Sequence, residues 1–255
     1  MPTEPPPGFR PGAGIRIAVI DSGVHAEHPH IGGVAGGVAV GADGALSDDF
    51  VDRIGHGTAV MAAVKDHASG AACYAVRIFD ARLTASATTL IAAIDWAIDA
   101  RVHIINLSLG SSNPSHEAGF AAAVARASAA GVAIVAARDD EGVWWLPGRL
   151  PGVVQVQVDW ECPRDDFRVV HLDGQRVFRA SGFARPIPGV DPRRNLHGVS
   201  FAVANLTGVL ARAMSLQPAM PAGEVLDRMA RVGSMRAQLG HIEKRPVGRT
   251  HRPFS

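Results

Sequence analysis

The chain is short of several things that would place it quickly. Only two cysteines, Cys73 and Cys162, stand among 255 residues. Cys73 lies in an apolar, strand-like run, so two free thiols are expected rather than a disulfide framework. Lys65 and Lys244 are the only lysines, the other basic residues being arginines, and the formal net charge is +1. No bulk charge therefore argues for nucleic acid or an acidic lipid surface. No run of about 18 apolar residues is present, and no basic segment followed by an apolar one opens the chain. Membrane and nucleic-acid partners are not expected, and a cytoplasmic location is.

What is present suits a globular enzyme. Hydrophobic residues make up 47% of the chain, ample for a buried core, and the length suits one sizeable α/β domain. Residues 1–14 are rich in Pro and Gly and are expected to be a flexible lead-in. Residues 15–235 then alternate short apolar runs with amphipathic stretches, the pattern of a mostly parallel sheet covered by helices on both faces. Strands are expected at residues 15–20, 73–79, 102–107, 132–137 and 153–158. Helices are expected at 58–67, 84–100, 114–130, 200–217 and 222–232. Residues 160–197 suggest antiparallel strands and loops. Residues 236–255 carry Arg236, His241, Lys244, Arg245, Arg249, His251 and Arg252, a basic tail expected to be solvated.

Three places carry chemistry. The first strand ends at Asp21-Ser22-Gly23, and carboxyl ends of central strands are where α/β sheets place their sites. Gly55-His56-Gly57-Thr58 opens a helix, which sets an imidazole beside free backbone N–H groups and suits a general base. Gly198-Val199-Ser200 opens a long small-residue helix, so Ser200 meets the positive end of a helix dipole. Taken singly, Asp21 could be a turn residue and Ser200 a helix cap. Together, in the order Asp, His, Ser, they match the roles of a hydrolytic triad. Ser200 would attack a carbonyl, His56 would take and return the proton, and Asp21 would hold the imidazole. His25, His28 and His30 are close in sequence, but their spacing fits no common zinc pattern and Pro29 interrupts any helix. No metal or cofactor is expected.

These residues resemble the subtilisin-like serine proteases, the subtilase family. Val19 to Gly23 with His28-Pro29 is similar to the family's aspartate segment, Gly55 to Thr58 to its histidine segment, and Gly198, Ser200, Ala202 and Gly208 to its serine segment. Asn106 to Gly110 resembles the strand that pairs with an extended substrate. Leu146-Pro147-Gly148 resembles the stretch after the family's oxyanion loop. The resemblance implies a three-layer α/β/α, subtilisin-like fold and a serine endopeptidase. Substrate would add β-strand hydrogen bonds at Ser108, Leu109 and Gly110. Ala136 and Ala137 would wall the pocket for the residue before the cut.

Several positions depart from the family pattern. Alignment on the Glu141-Gly142 pair puts Asp140 where the family has an oxyanion-stabilising asparagine. Val199 replaces a threonine that can also donate toward the oxyanion. The loop after Asp140 is short and contains Trp144 and Trp145, expected either to narrow the pocket or only to cover core. The family's calcium-holding insertion in the helix after the histidine has no counterpart. Residues 1–14 are far too short for the folding prodomain of secreted members. The expected function is therefore narrow-specificity processing of a peptide or protein precursor, with a partner protein in a peptide-maturation pathway among the expected partners. The alternative is a catalytically impaired subtilisin-like fold that binds peptides or serves as a scaffold.

Overall fold

A computed structural model of the chain describes residues 8–79 and 85–243, with side chains up to residue 233. The first strand shows how the layers arise. In β1 (Arg16–Asp21) Ile17 and Val19 join one buried cluster, while Ala18 and Ile20 join another on the opposite face. Successive strand side chains point to opposite faces, so an unbroken apolar run must be covered twice.

The cover comes from helices between the strands. β2 (Gly36–Val40) and β3 (Leu46–Ser47) lead to α1 (His56–His67) and β4 (Ala72–Arg77). Next come α2 (Ala87–Asp99), β5 (Ile104–Leu107), α3 (Glu117–Ala129) and β6 (Ala133–Ala137). A two-stranded ribbon of β7 (Asp139–Asp140) and β8 (Val143–Trp144) precedes β9 (Val154–Val158) and the hairpin β10 (Phe167–Leu172) and β11 (Gln175–Ala180). α4 (Val199–Ser215) and α5 (Ala222–Glu243) end the described chain.

Among the described residues one nine-stranded sheet has the order β10-β11-β9-β6-β5-β1-β4-β2-β3. The run β11-β9-β6-β5-β1-β4-β2 is parallel, and the hairpin partners β10 and β3 are antiparallel edges. Residues of α1 and α4 lie in one buried cluster, and residues of α2 and α3 in the other. The result is the expected α/β/α sandwich. β1 pairs with β4 on one side and β5 on the other. The ends of β1, β5 and β6 therefore open at one rim, where the direction of winding reverses and α/β sheets keep their sites.

The ends of the chain differ from expectation. Residues 8–14 form tight turns that dock: the Gly12 N–H donates to Ser215 Oγ at 2.9 Å, and the Gly70 N–H to the Pro11 carbonyl at 2.7 Å. These bonds tie that part of the lead-in to α4 and to the turn after α1. The last helix continues to Glu243, past the boundary expected at residue 235. Its first half has Val225, Leu226, Met229 and Ala230 buried, and no proline stops it before Pro246. The remainder of the expected lead-in and basic tail, residues 1–7 and 244–255, lies outside the described residues. Among the described residues no helix is long and apolar enough to cross a membrane, and both cysteines are free and buried.

Candidate active site

The site is assembled where three element ends meet. Asp21 closes β1 and is fully buried. His56 is the first residue of α1, and His56 Nδ1 lies 2.7 Å from Asp21 Oδ1. The same carboxylate oxygen accepts the Ser22 N–H at 2.7 Å. Asp21 Oδ2 is buried without a hydrogen-bond partner among the described residues. α1 can come this close to β1 because residue 57 is glycine: a Cβ there would fall 2.2 Å from the Gly23 carbonyl oxygen. The motif Gly-His-Gly thus has a steric reason on its second glycine.

A second carboxylate builds this corner. Asp52 is buried at 6% exposure. It accepts from Ser22 Oγ at 2.9 Å, the Ile54 N–H at 2.9 Å and the Gly55 N–H at 2.8 Å. It also accepts the Thr58 N–H at 2.9 Å and the Thr58 hydroxyl at 2.6 Å. Ser22 Oγ in turn accepts the Gly57 N–H at 2.8 Å. Burial alone would raise the Asp52 pKa, but these donors outweigh it and hold the group below the ordinary carboxylate value. Asp52 thereby joins the residue after Asp21 to the backbone on either side of His56. For His56, burial works to lower the pKa; the hydrogen bond and charge of Asp21, helped by Asp52, prevail and raise it above 6.5.

Ser200 enters from the other side of β5. It is the second residue of α4, so its N–H belongs to the unpaired first turn and points away from the helix. Its Oγ donates to the Ser108 carbonyl at 3.3 Å, and Ser108 Oγ donates to the Ser200 carbonyl at 3.3 Å. A buried relay sets Ser108: Thr207 Oγ1 donates to Asn106 Oδ1 at 3.0 Å, and Asn106 Nδ2 donates to Ser108 Oγ at 3.0 Å. The Phe201 ring lies 6.0 Å from the His56 ring, centre to centre. Among the described residues no hydrogen bond joins Ser200 Oγ to His56; the hydroxyl rests on Ser108.

The residues expected to form the oxyanion and pocket regions lie on the ribbon β7-β8. Asp139 pairs with Trp144 and Asp140 with Val143, with Glu141 and Gly142 as the turn. Asp139 is taken up by Gln157 Nε2 at 2.9 Å. Asp140 is half-buried, and its burial, with Glu141 and Asp139 as neighbours, raises its pKa above 3.8. Val199 is buried, and its side chain offers no donor. Arg138 is buried, donating to Gln155 Oε1 and, at 2.5 Å, to Asp173 Oδ2 in the β10-β11 turn.

The expected pocket walls divide between the two cores. Ala137 belongs to the cluster on the α4 face, while Ala136 is fully buried among α2 and α3 side chains, as alternation along β6 requires. Leu109 packs at the edge of that second core. Gly110 lies against residues 145–146: a Cβ on it would meet the Leu146 carbonyl oxygen at 2.4 Å and Trp145 Cβ at 3.1 Å. Reciprocal hydrogen bonds of 2.9 and 2.8 Å between Ser111 and Leu146 hold the two segments together. The two tryptophans pack on opposite cores. Trp144 covers the α2–α3 core beneath the Arg149 guanidinium, 5.7 Å from its ring. Trp145 packs on the α4-side core and crowds Gly110.

Sequence reasoning brought out the three triad residues but not their supports. Asp52 stands a few residues ahead of Gly-His-Gly-Thr, where an aspartate caps the turn into a helix. Asn106 is an amide in an otherwise apolar strand, and a buried polar side chain needs a partner. Both signals were available in the sequence.

Comparison with known proteins agrees with this geometry. Residues 12–152 match the model of the subtilase family, peptidase S8. The chain belongs to that family. It is 31% identical over 242 residues to the thermostable alkaline protease of Halalkalibacterium halodurans, covering 86% of this chain and 62% of that protein. It is 26% identical over 244 residues to subtilisin E of Bacillus subtilis, covering 86% of this chain and 60% of the relative. The chain therefore spans less than two thirds of the length of either. Among solved structures, a cold-adapted subtilisin-like serine proteinase superposes with a TM-score of 0.64 at 21% identity, covering 84% of this chain and 80% of the other. Sphericase superposes with a TM-score of 0.63 at 23% identity, covering 85% and 82%. At these identities the two structures establish the fold alone.

Proposed function

We propose that the chain is a serine endopeptidase of narrow specificity that uses Asp21, His56 and Ser200. The observation that carries this is the buried Asp21–His56 pair at 2.7 Å, with Ser200 at the start of α4. The Asp21 carboxylate on Nδ1 leaves Nε2 as the nitrogen that takes the serine proton, and stabilises the imidazolium that results. The N–H groups at the head of α4 supply donors for the carbonyl oxygen as it gains charge. An extended peptide would add to the strand edge at residues 108–110. The crowding of Gly110 by Trp145 supports a small residue before the cut and hence few acceptable sites. The substrate class is a peptide or protein precursor cut during maturation, with a partner protein in that pathway. Two free, buried thiols are compatible with a cytoplasmic setting.

Labelling by a fluorophosphonate probe tests this. The wild type should label at Ser200, and Ser200→Ala and His56→Ala should not. A folded wild type that remains unlabelled would overturn the proposal. One observation favours a second function, a peptide-binding fold with little or no turnover: the Ser200 hydroxyl is engaged by Ser108 instead of His56. That alternative predicts peptide binding without labelling, and Ser200-dependent cleavage would exclude it.

A further inference from the structure

A cavity of about 330 Å³ adjoins the start of α1, with Gly55 and Thr58, on either side of His56, in its lining. Its lining includes Gly55, immediately before His56, and Leu196, four residues before Ser200, but none of residues 108–110. If residues 108–110 are the edge that holds substrate before the cut, a cavity lined beside His56 and by none of those residues is available to substrate after it. Ile187 and Leu196 are exposed in its wall, at 45% and 51%, and give the cavity an apolar part that a side-chain stem can cover.

The polar part of the lining is cationic. Arg185 lines it with His28 and His30. Arg185 Nε is 3.5 Å from Asp66, but that carboxylate is already bonded at 2.7 Å to Arg164. One carboxylate thus serves two guanidiniums, leaving a net positive charge. Lys65 Nζ donates to the Ile31 and Gly33 carbonyls on the same loop, contacts that leave its charge uncompensated. His28 Nδ1 accepts the His30 N–H at 3.2 Å, so its proton is on Nε2, which is a donor. The His30 pKa is lowered, first by burial and then by the charges of Arg185 and His28. The backbone that carries Arg185 is held in place: Asn195 Nδ2 donates to its carbonyl at 2.9 Å, and the Ala184 N–H donates to the Leu196 carbonyl at 3.1 Å.

We propose that this cavity is a specificity subsite for a carboxylate side chain, Asp or Glu, within the first three residues after the scissile bond, with Arg185 supplying the charge. Arg185 Nη1 donates to the His30 carbonyl at 3.3 Å and Nε faces Asp66 at 3.5 Å, so Nη2 is the nitrogen left for a carboxylate; His28 Nε2–H adds a second donor, and Ile187 and Leu196 cover the side-chain stem. The subsite rests on the proteolytic function proposed above, and it identifies the kind of precursor cut: one with an acidic residue just downstream.

Cleavage-site profiling of a mixed peptide pool by mass spectrometry tests the subsite. Wild type should show Asp and Glu enriched about three- to fivefold in those three positions, the scale of a part-exposed charge pair. Arg185→Gln should abolish the enrichment and Arg185→Lys retain part of it. Ser200-dependent cleavage without acidic enrichment would overturn the subsite and leave the protease function standing. If no Ser200-dependent cleavage occurs, the protease function fails, and binding decides the subsite alone. Ser200→Ala would be titrated with Ala-Asp-Ala-amide and Ala-Asn-Ala-amide while the His28 and His30 imidazole NMR signals are followed. The Asp peptide should bind about fivefold tighter, and Arg185→Gln should remove the difference. Equal binding of the two peptides, or a difference that survives Arg185→Gln, would overturn it.

Discussion

The two sides of the candidate active site are built in different ways. On the aspartate–histidine side, nearly every polar atom has a fixed partner. Asp52 alone accepts five hydrogen bonds, and these join the chain after Asp21 to the start of α1. On the oxyanion side, a two-stranded ribbon carries Asp139, Asp140 and Glu141 in succession, and the residue before Ser200 is an apolar valine. The first side holds a base ready. The second has three acidic residues in succession on the ribbon that the family resemblance aligns with the oxyanion loop. Orienting a base and stabilising an oxyanion are thus separable in one fold, and their quality can differ.

The largest expected effect removes the nucleophile that both sides would serve. Ser200→Ala should lower peptide cleavage by about 10⁶, read as single-turnover rate on a cleaved peptide. A loss of less than tenfold would mean that another group does the chemistry.

Asp140→Asn addresses the second side and should run the other way, raising the cleavage rate by about 10². Asp140 can donate only when protonated, below its raised pKa, while His56 can act as base only when neutral, above its own raised pKa. These conditions oppose each other, so wild type should be slow at every pH. Asparagine donates at all pH values, and the variant's rate should rise with pH through the His56 value, above 6.5, and then stay level. An unchanged rate would show that the side chain at 140 faces away from Ser200.

Asp52→Asn should have a smaller effect, of about tenfold on rate. It also removes a negative charge that raises the His56 pKa, so the acid limb of the pH–rate profile should move to lower pH. A purely structural role would leave that limb in place. Because the folded Asp52 pKa is lowered, its contribution to stability is present above the ordinary 3.8 and is lost as pH falls through the lowered value. Thermal melts of wild type and Asp52→Asn should therefore converge in acid.

The smallest expected effect is on the support behind the ribbon. Asp173→Ala removes one of the acceptors of the Arg138 guanidinium, and Asp173 is 69% exposed on its side chain. The cost should be about 1 kcal/mol, read by urea denaturation. A loss above 3 kcal/mol would show that Arg138 depends on this one carboxylate.

The α/β/α fold was legible because it is written in local pattern. Residues 15–20 are apolar on both faces, and only a sheet covered twice can bury such a strand. The three triad positions were legible for a related reason: each lies at an element end marked by glycine. Other elements were not legible. The halt expected after Val232 rested on falling hydrophobicity, yet α5 runs to Glu243, because helix continuation needs only intact backbone and one buried face. Ala136 and Ala137 look alike in sequence, but strand alternation assigns them to opposite cores.

By itself the sequence determined the order of elements and the residue types at the candidate triad and oxyanion positions, since each depends on residue type at a position along one chain. Only the tertiary structure decided that Asp52 braces two catalytic segments, that Ser200 rests on Ser108, that Trp145 closes on Gly110, and that Arg185 stands over a cavity beside His56. Those are contacts between residues tens to more than a hundred positions apart, and no local pattern encodes which distant side chain will share a carboxylate or fill a gap.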